Sequence, residues 1–144
     1  LIPAKIRKAV RTQLPNLQFP GFVSKEELMD AYSGSDLFFF PTLEETEGIV
    51  MLEAMAMETP VLTRYIPVYE GWLEHGRTVY KGRGQEDFAR LLPDILEGRL
   101  PRLTEEAYRL VQENSITKIG NALAGIYDSL LAEDKAESKN LQLL

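Results

Sequence analysis

Asp36-Leu37-Phe38-Phe39-Phe40-Pro41, a polar loop from Thr42 to Gly48, Ile49-Val50-Met51-Leu52-Glu53-Ala54-Met55-Ala56-Met57, and Glu58-Thr59-Pro60-Val61-Leu62-Thr63 form the stretch that decides the fold. Leu37 to Phe40 is an apolar run closed by proline, and it reads as a short strand from Asp36 to Pro41 buried on both faces, as strands of parallel sheets are. The run from about Ile49 to Met57 reads as a helix that is almost wholly apolar and therefore buried. Glu58-Thr59-Pro60 ends it, and Val61-Leu62-Thr63 is the next strand. Strand, helix, strand in that order predicts a parallel pair joined by a crossover.

The same alternation continues outward. Upstream, Ser24-Lys25-Glu26-Glu27 is a capping box, in which Ser24 accepts from the backbone N–H of Glu27 and Glu27 reaches back. The helix it opens carries Leu28, Ala31 and Tyr32 and ends at Gly34. Leu17 to Val23 reads as extended, broken by Pro20-Gly21, and Ile6, Val10 and Leu14 mark a helix stopped by Pro15-Asn16. Downstream, Thr78-Val79-Tyr80 is a third strand candidate after an irregular stretch holding Pro67, Gly71 and Trp72. Phe88, Leu91, Leu92, Ile95 and Leu96 form a helical stripe kinked at Pro93. Thr104 is expected to cap a further helix, and Ile116, Ile119, Leu123, Ile126, Tyr127 and Leu130 mark a long terminal one. The fold class is α/β, a parallel sheet with helices on both faces. Residues 1–131 read as one domain and 132–144 as a polar C-terminal tail.

Composition narrows the chemistry. The 144 residues include no Cys and one His, which removes disulfides, thiolate nucleophiles and Cys-based zinc sites, and leaves little for a His-built metal site. A net charge of −6 argues against nucleic acid as a partner. The longest apolar runs, Leu37 to Phe40 and Ile49 to Leu52, fall far below the ~20 residues of a membrane span. No apolar run comes after the first basic residues, so no secretory signal is expected. The chain begins at Leu1 without an initiator Met and reads as a piece of something longer.

In open α/β sheets ligands bind beyond the carboxyl ends of the strands. The loop Phe40-Pro41-Thr42-Leu43-Glu44-Glu45-Thr46-Glu47-Gly48 is such a place. Gly48 allows backbone to approach a ligand at a helix N-terminus, where free N–H groups and the dipole favour phosphate. The carboxylates accept hydrogen bonds from paired hydroxyls, which a hexose and a ribose both offer. That combination suits a sugar nucleotide. A purely structural reading stands beside it, since acids in a first helical turn stabilise it by ~0.3–1 kcal/mol each. Glu53 is the odd member: a carboxylate inside an apolar helix must be paired or bound to something, and nothing nearby in the sequence pairs it.

With these residues in view, the string from Asp36 to Val61 resembles the C-terminal, nucleotide-sugar-binding domain of the retaining group 1 glycosyltransferases of the GT-B fold, a Rossmann-like α/β unit. That family's signature is two Glu separated by seven residues across a strand, loop and helix, and Glu45 and Glu53 have that spacing. Glu53-Ala54-Met55-Ala56 and Thr59-Pro60-Val61 match the family's pattern on the C-terminal side of the signature. Phe19-Pro20-Gly21-Phe22-Val23, Leu28, Tyr32 and Ser35-Asp36 match it on the N-terminal side. The helix from Ser115 to Leu131 is similar to the family's closing helix, so the likeness covers about Gln18 to Leu131.

The resemblance implies roles. Glu45, the catalytic candidate, would contact the hydroxyls of the transferred sugar, and Glu53 would hold the ribose diol. Glu47 and the backbone of Gly48, Ile49 and Val50 would face the diphosphate and sugar, and Gly21, Phe22 and Val23 would lie near the base. No cofactor or metal is expected, so hydrogen-bond donors and helix dipoles would stabilise the departing phosphate. The anomeric configuration would be retained. Thr46-Glu47 replaces the commoner Gly-Phe, and Pro67-Val68 the usual Gly-Gly. Both variants resemble the bacterial branch that glucosylates diacylglycerol or glucosyl-diacylglycerol.

The resemblance therefore implies a donor of the UDP-glucose type and an acceptor lipid or saccharide held by a further, N-terminal domain. It also implies a cytoplasmic location, peripheral at the inner face of the cell membrane. The family's first strand, glycine turn and basic diphosphate grip would lie before Leu1, leaving this stretch alone a weak donor binder without transfer activity. Other residues have structural readings: His75 as a turn residue, Trp72 as a core anchor, and Arg64 as a salt-bridge partner or ligand contact. The face of Lys5, Arg7, Lys8 and Arg11 is either solvated or in contact with anionic lipid. Two rivals share the fold, another sugar-nucleotide enzyme and a non-catalytic interaction domain whose acidic loop merely caps a helix.

Overall fold

The computed structural model describes residue 8 and residues 14–141, with side chains of the last helix through residue 132. The expected helix of Ile6, Val10 and Leu14, and the basic face beside it, fall outside the described residues apart from Lys8 and Leu14.

Among the described residues three strands, β1 (Phe38–Phe40), β2 (Val61–Arg64) and β3 (Tyr80–Gly82), form a parallel sheet in the order β1-β2-β3, with Phe38 opposite Val61 and Leu62 opposite Tyr80. Among the described residues five helices flank it: α1 (Lys25–Ser33), α2 (Ile49–Ala56), α3 (Gln85–Leu96), α4 (Thr104–Glu113) and α5 (Ile116–Leu141). A 3-10 turn, Pro67–Tyr69, comes after β2. The period-2 alternation of strand side chains divides the core in two. Phe38, Phe40 and Val61 join Tyr32, Met51, Ala54, Met55, Tyr69 and Ala107 under α1, α2 and α4. Leu62 and Tyr80 face the other way, onto Phe88 and Leu91 of α3. Helices thus cover both faces, as the alternating sequence requires.

The capping box forms as read: the Glu27 N–H donates to Ser24 Oγ at 3.2 Å and the Ser24 N–H donates to Glu27 Oε2 at 2.7 Å. The α1 helix ends at Gly34. Two threonines tie the layers together. Thr59 Oγ1 donates to the Tyr32 carbonyl at 2.6 Å, and Thr63 Oγ1 to the Phe40 carbonyl at 2.8 Å, so each buried hydroxyl has an acceptor.

Three expectations are corrected, those on the burial of β1, the start of β3 and the cap of α4. Strand β1 is not buried on both faces: it is the edge strand of the described sheet, and Phe39 remains 38% exposed although its ring meets Phe88 edge-on at 5.1 Å. Leu17 to Val23, read as extended and broken at Pro20-Gly21, is neither helix nor strand, and Gly21 turns the chain at φ +75° with Phe22 fully in solvent. The third strand starts at Tyr80 rather than Thr78, because a turn uses the residues before it. The Glu74 N–H donates to Thr78 Oγ1 at 3.0 Å and the Gly76 N–H to the Val79 carbonyl at 2.8 Å. Thr104 is the first residue of α4 rather than its cap, and its side chain makes no capping bond. The backbone stays helical to Leu141, through the stretch of polar composition after residue 131. Ile119, Leu123, Ile126, Tyr127 and Leu130 leave an apolar stripe of α5 exposed.

Candidate functional site

The loop from Pro41 to Glu47 leaves the carboxyl end of β1 and enters α2 at Gly48, the position where a parallel sheet presents ligands. Gly48 has φ +80° and ψ 37°, the left-handed conformation that glycine adopts most readily. It is also hemmed in: a Cβ there would stand 2.6 Å from Met51 Cε, 3.2 Å from Tyr69 Cε1 and 3.4 Å from Tyr69 Oη. Both the dihedral and the packing exclude a side chain.

The acidic loop does not cap α2. No side chain makes a capping bond to this helix, and its first turn contains no acid. Glu45 turns back on its own loop instead, where its Oε1 accepts from the Thr46 N–H at 2.9 Å. Thr42 Oγ1 donates to the Glu44 carbonyl at 2.7 Å, which shapes the same turn. The N-terminal N–H groups of α2 are therefore left to a ligand or solvent. The first turn of α3 differs in charge. That helix opens beside a depression of about 730 Å³ lined by Arg83, Gly84, Gln85 and Asp87. No side chain caps that helix either, but its first turn already carries two acids, Glu86 and Asp87, and Asp87 accepts from the Arg83 N–H at 2.8 Å and from Arg90 at 3.2 Å.

Glu53 is half-buried on α2 and makes no hydrogen bond or ion pair with any described residue. Its charge is felt by Tyr32, whose phenol is held above its usual range by burial first and by Glu53 second. Glu47 and Ile49 are exposed, and Val50 is half-buried at the helix mouth. Gly21, Phe22 and Val23 lie on the irregular, exposed stretch before α1, and no hydrogen bond or ring contact links them to the loop.

Arg64 is neither a salt-bridge partner nor a free cation. It donates to the Pro41 carbonyl at 3.3 Å and the Arg83 carbonyl at 2.8 Å, with its guanidinium 5.2 Å from the Phe88 ring centre. It thereby draws together the loops that come after β1 and β3. Trp72 is a half-buried anchor, its indole N–H given to the Val68 carbonyl at 2.7 Å and its ring set edge-on to Tyr69. Among the described residues no group of three or more His, Cys, Asp or Glu is placed to share a metal ion. No described helix is long and apolar enough to cross a membrane.

His75 sits in the turn before β3, and its Nδ1 accepts from the Lys81 N–H at 2.8 Å. Burial holds its pKa below the usual 6.5, with the Lys81 and Arg90 charges adding and Asp87 opposing. The native ring is therefore neutral where an unfolded chain begins to bind a proton. This contribution to stability is complete above pH 6.5 and is lost as the pH falls below it. Part of the ring faces solvent, so the loss is small. We expect the melting temperature to fall between pH 7.5 and 5.5. His75→Asn, which keeps an acceptor but cannot titrate, should flatten that part of the fall; an identical pH profile in the variant would refute the assignment.

Tyr69 is a residue that linear reading passes over. It is fully buried, 21 positions from Gly48, yet its ring is the wall against which Gly48 rests. Its one signal in the sequence is an aromatic after Pro67-Val68, in a stretch otherwise without periodicity.

Comparison with known proteins shows the family. Residues 7–118 match the family described as glycosyl transferases group 1. The chain is 41% identical over 126 residues to a processive diacylglycerol alpha-glucosyltransferase of Acholeplasma laidlawii, covering 88% of this chain and 38% of that protein. It is 33% identical over 100 residues to an alpha-galactosylglucosyldiacylglycerol synthase of Streptococcus pneumoniae, covering 69% and 27%. It is 31% identical over 106 residues to a D-inositol 3-phosphate glycosyltransferase of Rhodococcus jostii, covering 71% and 24%. The chain thus spans well under half the length of these relatives. A family match over most of its residues, laid on a parallel α/β sheet with a glycine-hinged loop at a strand end, places this chain in the group 1 glycosyltransferases.

Proposed function

We propose that this chain is the donor-binding part of a retaining hexosyltransferase, with a UDP-glucose-type nucleotide sugar as donor and a diacylglycerol-type lipid as acceptor. The observation that carries the reading is the start of α2 without a side-chain cap, flanked by Glu45 three residues upstream of Gly48 and by Glu53, which has no partner among the described residues, within the helix. In this reading the diphosphate lies at the N–H groups of Gly48, Ile49 and Val50. Glu45 and Glu47 meet the hexose, Glu53 accepts from the ribose diol, and Gly21, Phe22 and Val23 approach the base. The bond from the anomeric carbon to the diphosphate breaks while a bond to the acceptor oxygen forms on the same face. The acceptor's proton passes to the departing phosphate, and backbone N–H groups stabilise the charge that develops there.

The lipid acceptor is inferred from the names of the two most identical relatives above, a diacylglycerol glucosyltransferase and a glycosyldiacylglycerol synthase. A lipid acceptor in turn suggests work at the inner face of the cell membrane, with the acceptor bound by a further domain. The test is ligand-observed NMR of this chain with UDP-glucose, UDP-galactose and GDP-mannose. Saturation transfer to the ribose and hexose protons of UDP-glucose above the other two is the expected result. Transfer from none of the three, or preference for GDP-mannose, would overturn the donor assignment.

A further inference from the structure

Tyr69 has the features of a residue held for a ligand. It is 0% exposed, and its hydroxyl has no hydrogen-bond partner among the described residues. Buried hydroxyls without partners are rare because desolvating one is costly. The Thr63 hydroxyl is close enough to act on the phenol, but it donates its proton to the Phe40 carbonyl at 2.8 Å and makes no hydrogen bond of good geometry with Tyr69. Tyr69 Oη instead points at the start of α2, 3.4 Å from where a Gly48 Cβ would stand.

The turn that presents it is itself secured. Lys81, a buried lysine on β3, donates from Nζ to the Tyr69 carbonyl at 3.3 Å and lies 5.5 Å from the Tyr65 ring centre. A buried lysine thus fixes the backbone of Tyr69. Burial is the main reason the phenol stays above its usual pKa; the Thr63 hydroxyl opposes this and the Glu45 charge adds to it. The hydroxyl is therefore protonated at neutral pH and acts as a donor.

We propose that Tyr69 is a donor-binding residue whose hydroxyl gives its hydrogen bond to a diphosphate oxygen of the nucleotide sugar, alongside the N–H groups at the start of α2. The assignment rests on the donor site proposed above, and it adds a side-chain contact reached 21 residues beyond the glycine. An anionic oxygen suits this position because the groups beside the hydroxyl at the helix mouth are backbone N–H donors, which offset the Glu45 charge that reaches the phenol.

The experiment compares the chain with its Tyr69→Phe variant, reading UDP-glucose, UDP and UMP affinity by NMR titration and thermal stability without ligand. Tyr69→Phe is expected to weaken UDP-glucose and UDP about tenfold, the loss of one hydrogen bond to a charged oxygen, and to leave UMP within twofold. Its melting temperature should rise by about 2–4 °C, because an unpaired buried hydroxyl is removed. Affinity for UDP-glucose and UDP within twofold of the parent would overturn the proposal. A lower melting temperature with unchanged affinity would do so as well, and would make the hydroxyl a structural partner of Thr63. Weakening of UDP-glucose alone would move the contact to the hexose and overturn the phosphate assignment. If the parent chain binds none of the three ligands, the donor-site reading itself falls; if it binds them and the variant binds equally, only the Tyr69 assignment does.

Discussion

Gly48→Ala is expected to destabilise the chain by about 2–5 kcal/mol and to abolish measurable donor binding. Two costs combine. An L-residue at φ +80° and ψ 37° carries a left-handed penalty of about 1–2 kcal/mol. The added methyl group also overpacks the junction, at about 1–3 kcal/mol. The thioether of Met51, 2.6 Å from the new Cβ, can swing aside. The Tyr69 ring at 3.2 Å cannot, because the residue is fully buried under α2. The start of the helix must therefore shift, and with it the N–H groups that would meet a diphosphate. Gly71→Ala is the matched control: its φ is +83° but a Cβ there meets nothing within 4 Å, so only the conformational cost should remain. Urea unfolding of both variants decides the matter. Equal losses at the two sites would mean that Gly48 is not packed as described.

Glu53→Ala is expected to weaken UDP-glucose binding by about 30- to 100-fold, with unfolding free energy within about 0.5 kcal/mol of the parent. A carboxylate that accepts both hydroxyls of a ribose contributes two charge-assisted hydrogen bonds. Glu53 has no hydrogen bond or ion pair with the described residues, so removing it breaks no internal bond. Glu53→Gln, which keeps the shape and one good acceptor, should lose about tenfold. The interaction-domain alternative predicts the reverse pattern, a large loss of stability and no effect on any nucleotide. NMR titration and urea melts on the same samples separate the two. Unchanged affinity in a folded Glu53→Ala variant would remove Glu53 from the donor site.

Much of this architecture is written in short-range chemistry. The Ser24 and Glu27 box acts over three residues, so its geometry is set once α1 forms, and both of its hydrogen bonds are present. The helix from Ile49 and the strand at Val61 are set equally by a left-handed glycine before the apolar run and Thr59-Pro60 after it. The third strand is harder to place. Val79 has every local reason to be extended, yet the Glu74 to Val79 turn competes for its backbone and pushes sheet pairing on to Tyr80. The exposure of Phe39 is likewise set by neighbours in the sheet, to which a three-residue aromatic run is blind.

The amino-acid sequence by itself determines the α/β alternation, the hinge at Gly48 and the placing of Glu45 and Glu53 either side of it, because these depend on dihedral preference, capping and spacing along one connected segment. Tertiary structure alone decides what those residues do. The uncapped start of α2, the isolation of Glu53, the use of Arg64 to tie two loops and the pressing of Tyr69 against Gly48 all arise where β2 and the turn after it fold back on α2. Hydrogen-bond satisfaction is a property of three-dimensional neighbours. A buried hydroxyl without a partner becomes visible only when every neighbour has been placed.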